Sequence, residues 1–253
     1  MGFVLVRGMK QDARHWLDLP DRLADAAGVP VVTLDLPGVG AARDVDPPRS
    51  VRGLTRGLRE QLRAKAPADT RWVGVGLSLA GMAMVRWAVE APDELAGVVL
   101  GNSSAAGLSA PWQRLRWTAW PQMVRTVFTR ELSERERRSL GMVSNAPAER
   151  LDALAHRYAR FAEEQPYTRR TFVRQLAAGA TFRMPARVEV PTLVLCGGGD
   201  RFVSPRCSEA LASRLGAPLH RHPTAGHDLA VDAPEWLISE LLRFGEDVGV
   251  VRR

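Results

Sequence analysis

Short apolar runs alternate with stretches of helical periodicity along most of the chain. Apolar runs typical of buried strands occupy residues 2–6, 29–34, 72–77, 96–101, 190–197 and 217–222. Apolar residues at helical spacing lie within residues 13–27, 50–66, 82–89, 205–215 and 233–245. Strands that alternate with helices favour a mostly parallel twisted sheet with helices on both faces, so we predict an α/β fold.

One long segment interrupts this alternation. Residues 108–187 contain no convincing strand and at least three helical stretches, broken near Pro121, residues 141–147 and Pro166. The segment lies between two predicted strands of the sheet. We therefore predict a core made of residues 1–107 and 188–253, with 108–187 inserted as a helical cap. Such a cap would cover the carboxyl ends of the strands, where open α/β sheets bind their ligands.

A serine lies at the sharpest predicted turn. The apolar run of residues 72–77 continues through Gly76-Leu77-Ser78-Leu79-Ala80-Gly81 into a helical pattern. Strand, turn and helix with a serine at the turn form the G-x-S-x-G pattern of a nucleophile elbow. Positions two before and two after the serine pass close together, so small residues are needed there. Gly76 meets this need, and Ala80 adds one methyl group where glycine is usual, so we predict Ser78 as the nucleophile.

Two later strand ends carry an acid and then a histidine, the chain order that such an elbow requires. Asp200 follows the strand of residues 190–197 in a turn with three glycines, whose backbone N–H groups we expect to point at its carboxylate. His227 follows the last strand directly after Gly226, which lets the imidazole lean over the sheet edge. The other four histidines are better placed on the surface or in helices, and residues 102–104 supply no acid.

These residue types predict acyl-transfer chemistry. Serine is a poor nucleophile unless a base removes its proton. His227 would accept the proton of Ser78 and later give it to the leaving group, while Asp200 would hold the imidazole tautomer. The backbone N–H groups of Met9 and Leu79 are the expected oxyanion donors. This chemistry needs neither a cofactor nor a metal.

Length and composition exclude several other classes. The chain has 253 residues, enough for one α/β domain with an insertion. No apolar run reaches the roughly 18 residues that cross a bilayer, and the first apolar run is too short for a signal peptide, so we expect a cytoplasmic location. Cys196 and Cys207 are the only cysteines, which predicts neither a disulfide framework nor a metal site.

The net charge of +7 is unevenly distributed. Residues 108–187 contain 15 arginines and 7 acidic residues, whereas the rest of the chain is close to neutral. No basic helix with interleaved aromatic residues forms a recognised motif, so we expect no nucleic acid as a partner. Because no apolar run is long enough to span a bilayer, we expect no membrane partner either. One interpretation of the surplus is a solvated face with internal ion pairs. The other is a docking surface for an acidic partner or polyanionic substrate.

Through these motifs the sequence resembles the α/β-hydrolase superfamily, and the resemblance extends over nearly its whole length. Asp35-Leu36-Pro37-Gly38 is similar to the family's Asp-x-Pro-Gly turn, and Gly226-His227 to its histidine turn. Compact bacterial carboxylesterases end their first strand in His-Gly-x, which here reads Arg7-Gly8-Met9. In size and cap placement the chain is similar to the esterase that demethylates a pimeloyl-carrier-protein ester in biotin synthesis. The resemblance implies a serine carboxylesterase acting on a small acyl ester or on the ester of an acidic carrier protein.

Three rival functions stay open. A C–C bond hydrolase or a cofactor-free haloperoxidase-like enzyme would use the same three side chains on the same fold. A non-catalytic protein that binds a small apolar ligand or a partner would keep the pocket without the reaction.

Residues 108–187 are also rich in aromatic side chains. We expect more than half of them to pack inside the cap and the rest to line an apolar pocket for short or medium acyl groups. The set includes Trp112, Trp117, Trp120, Phe128, Tyr158, Phe161, Phe172 and Phe182.

Overall fold

A single parallel sheet forms the centre of the fold. The computed structural model describes residues 1–67 and 69–251. Its six strands are β1 (Gly2–Val6), β2 (Val31–Leu34), β3 (Trp72–Leu77), β4 (Leu95–Gly101), β5 (Thr192–Gly197) and β6 (Leu219–His222). They lie side by side in the order β2-β1-β3-β4-β5-β6, and every pair is parallel. The predicted parallel α/β architecture is confirmed.

Helices lie on both faces of this sheet and in the segment between β4 and β5. They are α1 (Leu19–Ala27), α2 (Val51–Lys65), α3 (Leu79–Glu90), α4 (Pro111–Arg114), α5 (Trp120–Phe128), α6 (Leu132–Val143), α7 (Ala148–Glu164), α8 (Arg169–Thr181), α9 (Pro205–Leu215), α10 (Leu229–Asp232) and α11 (Pro234–Asp247). Within the described residues, none is long and apolar enough to cross a membrane.

The core has one layer on each side of the sheet because side chains alternate along each strand. Val4 and Val6 of β1 pack in the layer that contains α2, α3 and α9. Phe3 and Leu5 point the other way, into the layer that contains α1 and α11. Both faces of the central strands are therefore buried, which explains why their sequences are continuously apolar rather than alternating.

The prediction of one continuous helix over residues 13–27 is wrong. The structure has a 3₁₀ turn at Ala13–Trp16 and then α1, separated by Leu17 with a φ of 58°. Pro20 explains the break, because it has no N–H to donate to the carbonyl of Trp16 and so cannot continue the turn as an α-helix.

The end of the chain is held in place as far as the structure describes it. Val250 and Val251 are buried, and their N–H groups donate to the carbonyl of Gly245 at 2.7 and 3.0 Å. Gly245 permits this contact, since a Cβ there would lie 2.6 Å from a methyl of Val251. Arg252 and Arg253 lie outside the described residues.

Helices α4 to α8 occupy the chain between β4 and β5, and we call residues 108–187 the inserted segment. Its described elements are all helical, apart from two isolated bridges that join Ala106 to Ser109 and to Arg183. Leu140, Leu154 and Tyr158 form a small apolar cluster with Val231 of α10. The segment thus packs partly on itself and partly on the core; its division from residues 1–107 and 188–253 as a separate cap stays a prediction.

The expectation for the aromatic residues of this segment is wrong. Tyr158 and Phe182 are buried, but four others are more than half exposed. These four are Trp112, Trp117, Trp120 and Phe128. Periodicity predicts that such residues share a face, but it does not determine whether that face meets the core or solvent.

Candidate active site

Ser78 lies between β3 and α3 in a backbone conformation that residues with a side chain rarely adopt. Its φ is 55° and its ψ is −117°. Gly76 makes the turn possible, because a Cβ there would lie 2.5 Å from the carbonyl carbon of Ala80. The close approach that the sequence predicted is therefore present. It involves the backbone of Ala80 rather than its methyl group, which explains why alanine is accommodated at this position.

Two hydrogen bonds hold the backbone of Ser78. Its N–H donates to the carbonyl of Gly101 at 2.7 Å, and the Ser103 hydroxyl donates to its carbonyl at 2.8 Å. Gly81 leaves room for Ser103, since a Cβ on Gly81 would lie 2.8 Å from the Cβ of Ser103. Sequence reasoning treated residues 102–104 only as a strand end without an acid and missed this support. Strained backbone of this kind persists only where its surroundings fix it.

Asp200 and His227 lie together at the carboxyl ends of β5 and β6. The Nδ1 atom of His227 is 2.7 Å from Oδ2 of Asp200, and both side chains are almost fully buried. With Nδ1–H donating to the carboxylate, the Nε2 atom of a neutral imidazole is left as an acceptor.

The carboxylate of Asp200 is held differently from the expectation. Its Oδ1 atom accepts from the backbone N–H groups of Phe202 and Val203 at 2.8 and 2.9 Å. The N–H groups of Gly198 and Gly199 instead donate to the carbonyls of His222 and Ala225. The glycines are needed for close packing: a Cβ on Gly198 would lie 2.6 Å from the carbonyl oxygen of Pro223.

The surroundings of His227 affect both its position and its charge. Burial favours the neutral imidazole, but the negative charge and hydrogen bond of Asp200 outweigh burial and raise the pKa of His227 above its ordinary value. The Phe202 ring packs beside the imidazole, with ring centroids 5.1 Å apart. His227 is thus a base whose orientation is set by one carboxylate and one aromatic ring.

Asn102 connects the histidine turn to the strand ends. Its side-chain amide donates to the carbonyls of Gly226 and His227 at 3.0 and 2.8 Å, and its side-chain oxygen accepts from the N–H of Gly197 at 2.8 Å. Asn102 is the neighbour of Gly101, which binds the N–H of Ser78. One short stretch therefore holds both the serine turn and the histidine turn.

The structure brings Ser78, Asp200 and His227 to the same edge of the sheet, after the ends of β3, β5 and β6. In the described residues, 1–67 and 69–251, the Ser78 hydroxyl forms no hydrogen bond with His227. Catalytic hydrogen bonds are often long without substrate and shorten when the complex forms.

The loop after β1 lies against Ser78. A Cβ on Gly8 would lie 3.2 Å from the Cβ of Ser78 and 3.9 Å from its Oγ. Glycine therefore permits the backbone of Met9, the next residue, to lie near the serine. Leu79 is the first residue of α3, so its N–H has no acceptor within the helix. Of the two backbone donors expected from the sequence, Leu79 thus directly follows Ser78, and Met9 directly follows Gly8, which lies against Ser78.

Arg7 makes a buried ion pair that sequence reasoning missed. Its two terminal nitrogens donate to the two carboxylate oxygens of Asp228 at 3.0 and 2.6 Å, and the ring of Trp16 lies 5.0 Å from the guanidinium. Burial opposes both charges, yet the pair raises the pKa of Arg7 and lowers that of Asp228. The pair joins the loop that contains Met9 to the turn that contains His227.

A turn of the inserted segment also supports the histidine. The carboxylate of Asp232 accepts from the N–H groups of Gly226 and Asn145, at 2.6 and 2.9 Å, and from the hydroxyl of Ser144. The side-chain amide of Asn145 donates to the carbonyls of Gly199 and Thr224, each at 3.0 Å. Residues 144–145 therefore fasten the loops of Asp200 and His227 to each other.

Metal-binding residues do not cluster in the part of the chain that the structure describes: no group of three or more His, Cys, Asp or Glu side chains there could hold a metal ion. Cys196 and Cys207 are both buried as free thiols.

Comparison with known proteins identifies the family of the chain. A sequence model of the alpha/beta hydrolase family matches residues 3–240. The chain belongs to the alpha/beta hydrolase family. None of the curated proteins matches the sequence significantly.

Solved structures with this fold resemble the hydrolase over almost its full length. A hydrolase from Pseudomonas aeruginosa PA01 is 23% identical, with a TM-score of 0.75 over 96% of this chain and 89% of that one. A thermophilic esterase from Thermogutta terrifontis is 21% identical, with a TM-score of 0.70 over 98% and 90%. An alpha/beta hydrolase fold protein from Chitinophaga pinensis is 19% identical, with a TM-score of 0.74 over 96% and 88%. At such identities the likeness shows the fold.

Proposed function

We propose that this hydrolase is a serine carboxylesterase that cleaves its substrate through an acyl-enzyme intermediate. The observation that carries the proposal is the buried hydrogen bond between Asp200 and His227, at the sheet edge where Ser78 occupies a strained turn. Family membership supports hydrolysis in general. The ester bond and the roles of individual residues are our inference from this geometry.

In the first half of the reaction, the Ser78 hydroxyl attacks the ester carbonyl and forms the new C–O bond. Nε2 of His227 takes the hydroxyl proton as the bond forms. Asp200 holds the imidazole in the tautomer that leaves Nε2 free and stabilises the imidazolium. Collapse of the tetrahedral intermediate breaks the bond to the alcohol, which leaves with the proton from His227.

The second half repeats these steps with water. Water enters after the alcohol leaves, and His227 removes one of its protons as it attacks the acyl-serine carbonyl. The bond between the acyl carbon and Ser78 Oγ then breaks, and His227 returns the proton to Ser78. In both halves, the negative charge that develops on the carbonyl oxygen is stabilised by the N–H groups of Met9 and Leu79.

The proposal predicts a pH dependence governed by His227, which must be neutral to act as a base. Because its pKa is raised, kcat/KM for a p-nitrophenyl ester should fall as the pH drops through a value above about 6.5. Asp200→Asn removes the charge that raises this pKa, so the acid limb should move to lower pH and the plateau should drop. Asp25→Asn, at an exposed position of α1, is the control.

An acid limb at the same pH in Asp200→Asn and in the control would argue against the proposed base. The measurement is a pH series of kcat/KM, repeated with acyl chains of increasing length. The chain-length series also defines the acyl pocket, for which we expect a preference for short or medium chains. Cleavage of a C–C bond substrate with no ester turnover would favour the rival hydrolase reaction on the same residues.

We also propose an ester of an acidic carrier protein as a substrate of this site. Ion pairs within the protein already occupy part of the basic surface that such a carrier could use. Arg137 and Arg138, in the most basic run, already pair with Asp152 and Glu134. Arg150 and Arg160 of α7 are exposed, and within the described residues neither has an ion-pair partner.

The expected result is a steep salt dependence of kcat/KM for a carrier-protein ester and a flat one for a small neutral ester. Added salt shortens the Debye length below its value of about 10 Å at 0.1 M, which weakens attraction between separated charges. Arg150→Glu with Arg160→Glu should lower the carrier rate on the order of tenfold at low salt. Arg43→Glu, in the loop after β2, should not. Equal and flat profiles for the two substrates would contradict carrier docking.

A further inference from the structure

Contrary to the sequence expectation of no membrane partner, we propose that the hydrolase docks on anionic lipid surfaces through an exposed apolar patch of the inserted segment. The patch lies on α5 and the residues just before it, and we call it the α5 patch. Its members are Trp112, Trp117, Trp120, Val124, Val127 and Phe128, all more than half exposed. Docking does not depend on the chemistry proposed for Ser78 and is tested without it.

The apolar side of α5 faces outward. Trp120, Val124, Val127 and Phe128 follow the i, i+4, i+7, i+8 spacing of one helix face. The buried residue of this helix is instead a polar one, Thr126, whose hydroxyl donates to the carbonyl of Gln122. A surface helix normally turns its apolar stripe to the core, so this orientation leaves the stripe for a partner.

The patch is large for a monomer surface. Phe128 is 79% exposed and Trp117 is 71% exposed. Each aromatic side chain has roughly 150–250 Å² of surface, so several together reach the size of the largest apolar patches on monomers, about 300–600 Å². Patches of this size mark interaction sites.

Charge next to the patch identifies the partner as anionic. Arg125 lies on α5 among the patch residues, and Arg130 follows the helix; both are exposed. Within the described residues neither has an ion-pair partner, in contrast to Arg137 and Arg138. A shallow groove lined by Val124, Arg125, Phe128, Thr129 and Arg138 joins the apolar and basic positions. Guanidinium groups bind phosphate well, and basic side chains attract proteins to anionic lipid.

The shape of the patch favours a lipid surface over a second copy of the chain. The nine residues of α5 span about 14 Å, a length suited to lying in the interface, where Trp and Phe enter the acyl boundary and Arg stays at the headgroups. Tryptophan rings favour this boundary because they have an apolar body and a polar N–H. In a symmetric dimer, by contrast, the same basic patch would lie on both sides of the interface, and like charges repel.

The α5 patch adjoins the candidate active site. The N–H of Arg116 donates to the carbonyl of Phe202 at 2.9 Å, and its guanidinium donates to the carbonyl of Asp200 at 3.2 Å. The N–H of Ser204 donates to the carbonyl of Gln113 at 2.8 Å. Residues between Trp112 and Trp117 therefore lie on the loop that holds the acid, and a docked protein would place that loop near the lipid.

The test measures binding of Ser78→Ala protein to vesicles, so that no ester lipid is consumed. Vesicles contain phosphatidylcholine alone or with phosphatidylglycerol. We expect flotation with the anionic vesicles, a blue shift of tryptophan emission, and quenching by bromine placed on the acyl chains. Binding to phosphatidylcholine alone should be at least about tenfold weaker, because the attraction of the arginines is missing.

Matched variants separate the contribution of the apolar side chains to vesicle binding from that of the arginines. Trp117→Ala with Phe128→Ser should weaken binding on the order of tenfold or more, whereas Val45→Ser, at an exposed apolar position outside the patch, should not. Arg125→Glu should weaken binding to anionic vesicles, and Arg43→Glu should leave it unchanged. Because the replaced side chains are exposed, circular dichroism should show the same fold in all of them.

Four results would overturn the proposal. The first is no binding to either kind of vesicle. The second is equal binding by the protein with Trp117→Ala and Phe128→Ser and by the protein with the α5 patch intact. The third is a dimer in sedimentation equilibrium that Trp117→Ala converts to a monomer. The fourth is binding to an acidic protein but not to vesicles. The last two would assign the patch to another partner. Failure of docking would leave the ester kinetics untouched, so the two proposals fail separately.

Discussion

Replacing Ser78 by alanine is expected to lower ester turnover on the order of 10⁴-fold or more. The change removes the atom that forms the acyl bond, and His227 and Asp200 have no other task in the proposed reaction. It adds no bulk at this half-buried turn, and within the described residues the Ser78 hydroxyl makes no hydrogen bond that alanine would lose, so the fold should persist. The measurement is kcat for a p-nitrophenyl ester, with Ser213→Ala of α9 as an exposed serine control.

A fluorophosphonate probe gives a second measurement of the same prediction. The Ser78 oxygen should displace fluoride from phosphorus and form a stable O–P bond, with its proton passing to His227. Peptide mapping should find the label on Ser78 and none in the Ser78→Ala protein. Labelling of another serine, or wild-type turnover in Ser78→Ala, would show that the assignment is wrong. A non-catalytic binding protein would give neither turnover nor labelling.

The sequence predicts those parts of the candidate site that short local motifs mark. Gly76 and Ser78 lie two positions apart, Gly226 and His227 are adjacent, and Asp200 follows its strand within a short turn. In a parallel sheet, residues at the carboxyl ends of strands meet at one edge whatever their distance along the chain. Local motifs in the right order thus predict a shared site.

Other features depend on contacts between distant parts of the chain. Arg7 and Asp228 are 221 positions apart, and nothing in the neighbourhood of either predicts the other. The stripe on α5 is visible as periodicity, yet the side on which it meets solvent depends on how the helix packs. The glycines near Asp200 suggested N–H donors, but the structure uses them for close backbone contacts. Sequence patterns therefore predict helices and strands better than they predict the contacts between distant residues.

Replacing Arg7 should strongly reduce stability. Arg7→Met would leave the carboxylate of Asp228 buried with no cationic partner, since its other side-chain donor is Gln11 at 3.4 Å. Breaking a buried pair in this way costs roughly 3–5 kcal/mol of unfolding free energy. Arg59→Met is the control, because its pair with Glu94 is partly exposed and such pairs contribute about 0–1 kcal/mol.

A double variant distinguishes the loss of charge balance from the loss of packing. Arg7→Met with Asp228→Leu removes both charges, so it should recover most of the stability that the single change loses. Urea denaturation measures the free energy of unfolding, and equal losses in the single and double variants would contradict the account. Arg7 also lowers the pKa of His227, while Asp228 raises it. The acid limb of kcat/KM should therefore move to higher pH in Arg7→Met and return toward its original position in the double variant.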